Sequence, residues 1–135
     1  MSTEENKTIS NRVAQAISEG DLDALDELMA SELAEEFKRD LAEIRRAFPD
    51  YAGTNVEQIA EGEKVANRFV FLGTHLGEFE GVTPTGKRVE FTGNSIDRMV
   101  GGKIVESWVE VDMFGVMRQL GAVPELGRSG ETNST

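Results

Sequence analysis

Residues 88–112 read RVEFTGNSIDRMVGGKIVESWVEVD, and this stretch decides the fold. Apolar and polar residues largely alternate along it, and Gly101-Gly102 interrupts the alternation once. A glycine pair between two alternating runs is a strong signal for a two-residue β-hairpin. The stretch therefore predicts two antiparallel strands, at residues 88–100 and 103–112.

The strand pattern continues upstream of this hairpin. Residues 65–75 predict another strand, and residues 76–87 contain the glycines and the proline expected of a long hairpin tip. A shorter strand with Val56 and Ile59 ends at a turn over residues 61–64. These segments together predict an antiparallel meander.

The first half of the chain has helical periodicity instead. Apolar residues recur every three or four positions in stripes at residues 9–20, 21–29 and 33–48. We expect a turn or kink near Ser31 between the second and third stripes, with one fused helix as the alternative. A short helix is predicted over residues 113–120.

Helices followed by a strand meander predict an α+β fold. In such a fold the N-terminal helices pack on one face of a curved antiparallel sheet. The chain has 135 residues, which is enough for one domain with its own core. We expect residues 1–123 to form this domain and the polar residues 124–135 to be a disordered tail.

The composition excludes several kinds of site and partner. The chain has no cysteine and one histidine, which excludes thiol chemistry, cysteine-bound metals and a multi-histidine metal centre. Its net charge of −11 argues against nucleic acid or an anionic membrane as a partner. The N-terminus is polar, and no apolar run approaches the ~20 residues of a membrane span, so we expect a cytoplasmic protein.

Counting pairs outward from Gly101-Gly102 predicts which side chains face each other. Asp112 is expected opposite Phe91, and a turn near residue 83 in the other hairpin places His75 opposite Phe91 as well. The three side chains would then form one row on one face. In that row Asp112 and His75 flank Phe91, with about 10 Å between their backbones.

An apolar floor with a few acids is predicted around this row. The same face should carry Phe69, Phe71, Ser95, Asp97, Trp108 and Glu110. This combination is typical of a small-molecule pocket. The opposite face is expected to be apolar enough to pack against a second subunit, through Arg68, Val70, Leu72, Thr74, Val109 and Val111.

Each of these residues also has a structural interpretation. His75 could be a hydrogen-bonded residue at a strand end, and Asp112 could be the N-cap of the helix that follows it. Trp108 could belong to the core or to the wall of a pocket. Asp97 and Glu106 are expected near the open edge of the sheet, in contact with solvent.

Several motifs resemble one known family. The run GTHLGEFEGVTPTGK, at residues 73–87, closely resembles the hairpin signature of the SnoaL-like polyketide cyclases, the ester-cyclase group. The similarity spans roughly residues 42–121, and it continues through GKIVESW at residues 102–108, Asp112, Gly115 and QLG at residues 119–121. It implies the cone-shaped α+β fold of the nuclear-transport-factor superfamily, which typically dimerises through its sheet and holds a ligand inside the cone.

The resemblance also implies a function. Family members close rings by an intramolecular aldol reaction that needs no metal ion and no cofactor, so we expect neither here. Asp112 matches the family's acid/base residue, and His75 would position the substrate or relay a proton. The ligand is expected to be a small apolar carbonyl compound, bound by Phe69, Phe71, Phe91, Ser95, Trp108 and Glu110.

Two other functions stay open. Residues 29–33 bridge directly a region where the family has a strand and loop, and no second histidine exists. A non-catalytic module for ligand binding or dimerisation is therefore the main alternative. Epoxide hydrolysis would need an Asp-Arg-Asp set, for which Asp97, Arg98 and Asp112 supply the residue types, but alternation places Arg98 on the face opposite Asp97.

Overall fold

Helices come first along the chain and an antiparallel sheet follows, which confirms the predicted α+β fold. The computed structural model describes residues 2–123, so the predicted tail at residues 124–135 lies outside the described residues. The helical elements are α1 (Thr3–Glu19), a 3₁₀ turn (Leu22–Ala24), α2 (Leu25–Leu28), α3 (Ser31–Ala47) and α4 (Met113–Gln119). The strands are β1 (Ala52–Glu61), β2 (Lys64–Thr74), β3 (Arg88–Val100) and β4 (Lys103–Val111).

The first helix packs one apolar stripe against the inner face of the sheet. Ser2 caps α1 in a capping box with Glu5, and Gly20 ends the helix in the left-handed region, with φ of 72°. Ile9 and Val13 on its buried side belong to the hydrophobic core. No helix within residues 2–123 has the length and apolar character that a membrane crossing requires.

The predicted break between the second and third helices is present. Met29 and Ala30 have extended backbone, and α3 begins at Ser31. The Ala30 N–H donates to the Ile104 carbonyl at 2.9 Å, and Met29 forms a parallel bridge with Ile104. Two extended residues therefore attach the helix junction directly to β4.

The strands form one curved, unclosed sheet in the order β1-β2-β3-β4. This order confirms the predicted meander. The first strand is longer than its sequence predicted, and a bulge at Val56 interrupts its pairing with β2. The core between the sheet and the helices includes Leu25, Phe48 and Val65, none of them accessible to solvent.

The last hairpin turns at Gly101-Gly102 as predicted, but its register is different. Val105 is an extra residue in β4 that forms a β-bulge. Beyond the bulge, Trp108 pairs with Ile96 and not with Ser95. Because side chains alternate along a strand, this shift of one residue moves every later side chain of β4 to the other face.

Several face predictions for β4 are therefore wrong. Trp108 and Glu110 lie on the outer face, whereas Val109 and Val111 lie on the inner face. The Asp112 N–H donates to the Thr92 carbonyl, so Asp112 is not opposite Phe91. The alternation in this strand is weak, because Trp108 and Val109 are adjacent and both apolar, and the pattern therefore does not reveal the bulge.

The hairpin between β2 and β3 is also offset from its predicted register. Phe71, and not His75, pairs with Phe91. The offset is an even number of residues, so the predicted faces of these two strands are confirmed. The inner face carries Phe69, Phe71, Phe91, Ser95 and Asp97, and the outer face carries Arg68, Val70, Leu72 and Thr74.

Candidate active site

A cavity of about 250 Å³ lies between the helices and the inner face of the sheet. This volume is near the lower end of the range for small-molecule sites. Most of its wall is apolar and comes from α1, α3 and the sheet, including Val13, Ile17, Phe37, Leu41, Ile44, Phe69, Phe71, Val109 and Val111. The cavity therefore suits a small organic ligand with a largely apolar body.

Asp97 is the centre of a polar cluster in this wall. Its carboxyl group is buried, with the residue 6% exposed, and it accepts three hydrogen bonds from the residues that the structure describes. The donors are Ser107 Oγ at 2.6 Å, Ser10 Oγ at 2.7 Å and Asn67 Nδ2 at 3.0 Å. The expectation that Asp97 contacts solvent is wrong, because α1 and the two neighbouring strands cover it.

Burial raises the pKa of Asp97 above its ordinary value of 3.8. Desolvation disfavours the charged carboxylate, and the hydrogen bonds from Ser107, Ser10 and Asn67 oppose this effect only in part. A carboxyl group with a raised pKa can hold and release a proton closer to neutral pH. That property is required of a general acid/base.

Ser95 adds a hydrogen-bond donor beside Asp97. The Asn67 amide donates one hydrogen to Asp97 and also donates to Ser95 Oγ, at 3.1 Å. Ser95 Oγ therefore acts as an acceptor toward Asn67, and its own hydrogen has no acceptor among residues 2–123. Because Ser95 lines the cavity, this hydroxyl can donate to a ligand oxygen.

Tyr51 provides a second hydroxyl in the cavity wall. Its ring stacks on Phe71, with 4.9 Å between the ring centroids, and packs edge-on against Phe91. Burial raises the pKa of Tyr51 to about 12, so the hydroxyl keeps its proton at neutral pH. It makes no hydrogen bond within the described part of the chain, and a ligand could accept its proton.

The structure brings together only some of the predicted binding residues. Phe69, Phe71 and Ser95 line the cavity. Phe91 is buried behind Phe71 and Tyr51 and supports them instead of lining the cavity. Trp108 and Glu110 lie on the outer face, where Trp108 is 50% exposed.

Asp112 does not line the cavity. It is the N-cap of α4, and its Oδ1 accepts a hydrogen bond from the Gly115 N–H at 2.8 Å. Its side chain is exposed beside a shallow outer depression that Arg68 and Glu110 also line. The capping interpretation of Asp112 is thus confirmed, and its catalytic role stays a prediction that this geometry does not support.

His75 lies in the hydrophobic core and not in the cavity wall. It has no exposed surface, and its ring stacks on Phe48 with 5.4 Å between centroids. Its Nδ1 accepts the Thr85 backbone N–H at 3.1 Å and lies 3.0 Å from Thr85 Oγ1. His75 therefore fastens the hairpin tip, and the predicted row of His75, Phe91 and Asp112 does not form.

Neither an Asp-Arg-Asp set nor a cluster of metal-binding side chains is found among residues 2–123. Arg98 lies on the outer face, bonded to Glu106 at 2.6 Å, so it does not join Asp97 in an Asp-Arg-Asp set. In the region that the structure describes, no three His, Asp or Glu side chains come close enough to bind a metal ion together.

The sequence contains two signals for this polar cluster. Ser10 interrupts the apolar stripe of α1 between Ile9 and Val13, and Asn67 interrupts the inward-facing positions of β2 between Val65 and Phe69. A polar residue within a buried stripe needs a partner, so each predicts a buried polar neighbour. Identifying that neighbour as Asp97 requires the packing of α1 on the sheet.

Comparisons with known proteins agree with this architecture. IdmH from Streptomyces antibioticus, a candidate polyketide cyclase, is 31% identical, with a TM-score of 0.76 over 87% of this chain and 98% of its own. AclR from Streptomyces galilaeus, a candidate hydroxylase, is 28% identical, with a TM-score of 0.84 over 92% of this chain and 89% of its own. TsrD from Streptomyces laurentii, at 23% identity and a TM-score of 0.84 over 91% of this chain and 99% of its own, shares the fold. The search of curated proteins finds no match.

The family comparison is specific. The model of the family described as SnoaL-like polyketide cyclase matches residues 7–120, which is most of the chain. Together with the cyclase and hydroxylase neighbours, this match supports a small-molecule enzyme in general. With its open sheet, covering helices and internal cavity, the chain belongs to the SnoaL-like polyketide cyclase family.

Proposed function

We propose that the protein is a cofactor-independent enzyme that performs acid/base chemistry on a small, neutral carbonyl compound bound in the cavity. The observation that carries the proposal is Asp97, a buried carboxyl group with a raised pKa in a largely apolar cavity. Of the reaction types, aldol cyclisation or isomerisation fits this site best. Both begin by removing a proton from the carbon next to a carbonyl group, and both can use one group as base and then as acid.

Asp97 would act first as the base and then as the acid. Its carboxylate takes a proton from the carbon next to the carbonyl, and the electron pair moves onto the carbonyl oxygen. Ser95 supplies a hydroxyl that donates to this oxygen as its negative charge develops. The enolate then attacks a second carbonyl of the same molecule, or it is protonated at another carbon, and Asp97 returns its proton to the product.

The charges around the cavity favour a neutral substrate. The titratable residues in its wall are Asp40, Tyr51 and Asp97, and no lysine, arginine or histidine of the described residues lines it. A ligand carboxylate would lose its hydration and find no cation in exchange. An ester, ketone or lactone avoids this cost.

The outer sheet face supports a homodimer. One row across β1, β2, β3 and β4 consists of Ile59, Ala66, Ile96 and Trp108. The large apolar side chains in this row are exposed, namely Ile59, Ile96 and Trp108. Ion pairs lie on either side of the row, between Glu57 and Arg68 and between Arg98 and Glu106. An apolar centre with a polar rim is typical of a subunit interface.

Proton exchange on a neutral ketone tests the catalytic proposal directly. 2-Tetralone in D₂O loses its hydrogens next to the carbonyl slowly, and ¹H NMR follows the loss. We expect the wild-type protein to accelerate this exchange above the buffer rate, and Asp97→Asn to remove the acceleration. The matched variant Asp112→Asn should keep it, because Asp112 caps α4 outside the cavity.

Two outcomes would assign the function differently. Exchange that survives in Asp97→Asn but is lost in Asp112→Asn, with an unchanged melting temperature, would move the base to Asp112. Binding of 2-tetralone without any accelerated exchange would favour the non-catalytic alternative, a ligand-binding module of the same fold.

A further inference from the structure

A chain of side-chain amides leads from Asn55, which lines the cavity, through the exposed residue Asn11 to Asp97. Asn55 donates to Asn11 at 3.0 Å, and Asn11 donates to Gln58 at 3.1 Å. Gln58 donates to Asn67 at 2.8 Å, and Asn67 donates to Asp97 at 3.0 Å. We call these four residues the amide chain. It connects α1, β1 and β2 to the carboxyl group on β3.

The orientation of every amide in the chain follows from Asp97. A carboxylate only accepts hydrogen bonds, so Asn67 must turn its NH₂ group toward Asp97 and its oxygen toward Gln58. Gln58 must then donate to Asn67, and the same reasoning orients Asn11 and Asn55. All four dipoles therefore point their positive ends toward Asp97, and aligned hydrogen bonds of this kind strengthen one another.

Gln58 occupies the controlling position in this chain. Its NH₂ group bonds both Asn67 Oδ1 and the Lys7 carbonyl, at 2.8 and 3.2 Å, which holds the amide in one orientation. Asn67 is 4% exposed, and Gln58 provides the only side-chain donor to its oxygen among residues 2–123. Gln58 does not line the cavity, and its direct side-chain hydrogen-bond path to Asp97 runs through Asn67.

We propose that Gln58 is a positioning residue, which fixes and polarises the Asn67 amide and so stabilises the ionised form of Asp97. The role of Gln58 in catalysis rests on the proposed function, in which Asp97 is the acid/base residue. The effect on Asp97 itself is a property of the folded protein and needs no substrate.

Loss of a nearby charge would not explain a change in the Asp97 midpoint on replacing Gln58. In the described wall of the cavity, α3 contributes Asp40, and Tyr51 precedes β1, while α1, β2 and β4 contribute only neutral side chains. The ammonium group of Lys7, next to Gln58, pairs with Glu4 on the exposed side of α1. Replacing Gln58 therefore removes no ion pair of Asp97.

The test is a ¹³C NMR titration of the Asp97 carboxyl group, assigned by its absence in Asp97→Asn. Gln58→Met keeps the side-chain length and removes the donor to Asn67. We expect it to move the Asp97 midpoint upward by roughly a few tenths of a pH unit. Asn11→Ala, one step further away, should give a smaller upward shift.

Gln15→Met is the matched control, because among residues 2–123 the Gln15 amide bonds only Glu19, on the exposed face of α1. It should leave the Asp97 midpoint unchanged. An unchanged or lowered midpoint in Gln58→Met would overturn the proposal, whether or not the melting temperature falls. If Gln58→Met does not fold, Asn11→Ala decides the test. An unchanged Asp97 midpoint in Asn11→Ala would then overturn the proposal.

The proposed function can fail separately. If Asp97→Asn still accelerates exchange on 2-tetralone while Gln58→Met shifts the Asp97 midpoint, Asp97 is not the base but the amide chain acts as described. If Asp97→Asn abolishes exchange and Gln58→Met shifts nothing, the base is correct and the positioning role of Gln58 is wrong.

Discussion

Ser107 donates its hydroxyl to Asp97 Oδ1 at 2.6 Å, from the position directly opposite on the neighbouring strand. It is the shortest of the three hydrogen bonds to this carboxyl group, and it lowers the pKa that burial raises. The cross-strand pair therefore sets part of the balance between charged and neutral Asp97.

Removing the Ser107 hydroxyl should make Asp97 harder to ionise. In Ser107→Ala we expect a higher Asp97 pKa, so the acid limb of the pH profile for ketone exchange moves to higher pH. We also expect the free energy of unfolding to fall by about 1 kcal/mol, measured by urea denaturation. Ser107→Thr keeps the hydroxyl and serves as the control. A pH profile identical to wild type in Ser107→Ala would contradict the prediction.

The raised pKa of Asp97 predicts how stability depends on pH. The folded state holds the proton more tightly than the unfolded state, so the stability contributed by this group is lost as pH rises. The loss begins near the ordinary value of 3.8 and ends above the raised folded value. Asp97→Asn does not titrate there. Urea titrations at about pH 4 and about pH 8 should therefore show wild type losing stability relative to Asp97→Asn.

If wild type and Asp97→Asn differed by the same free energy of unfolding at both pH values, Asp97 would have the same pKa in the folded and unfolded states. A wild type that gains stability relative to Asp97→Asn as pH rises would reverse the sign of the shift. Either result would remove the electrostatic basis for Asp97 as the acid/base.

The charge of the cavity wall predicts which ligands bind. N-phenyl-1-naphthylamine is neutral, and 8-anilinonaphthalene-1-sulfonate has the same ring system with one negative charge. We expect the neutral probe to bind at least about tenfold more tightly, the size of like-charge repulsion at about 10 Å near a protein surface. Fluorescence titration measures the dissociation constants of both probes. Asp40→Asn should bring the two dissociation constants closer together. Equal dissociation constants for the two probes in the wild type would contradict this prediction.

The row of Ile59, Ala66, Ile96 and Trp108 on the outer sheet face predicts a dimer that one substitution disrupts. Trp108→Glu places a carboxylate at the β4 end of the exposed apolar row, so we expect a dimeric wild type and a monomeric variant by light scattering after size exclusion. Phe114→Glu is the control, since Phe114 is a similarly exposed aromatic residue on α4, outside the sheet face. A monomeric wild type, or a dimeric Trp108→Glu, would show that this row is not the interface.

Local sequence rules predict much of this fold. The glycine pair at residues 101–102 locates the last hairpin, and apolar periodicity locates α1 and α3. Faces on β2 and β3 follow from alternation because the inward residues, such as Phe69 and Phe71, are clearly apolar. These features depend on neighbouring residues along the chain, which a single sequence displays directly.

The site depends on longer-range packing and is harder to predict. Asp97 is buried because Ser10, on a helix 87 positions earlier, covers it. His75 matches a family motif, yet it enters the core because its Nδ1 bonds Thr85 across the hairpin tip and its ring stacks on Phe48. Such contacts join distant parts of the chain, and residue types or spacing do not reveal them.

The Val105 bulge lets β4 carry one residue more than its pairing with β3 requires. Removal of Val105 would close the bulge and leave Ser107 opposite Asp97, so Ser107, Val109 and Val111 would still face the cavity. Regular pairing through Val105 would instead turn Glu106, Trp108 and Glu110 inward, and the cavity would receive two acids and an indole in place of a serine and two valines. For a lineage of related proteins, the bulge is therefore a place where one codon can be lost without changing the residues that meet the ligand, while the helices and the glycine turn stay as they are.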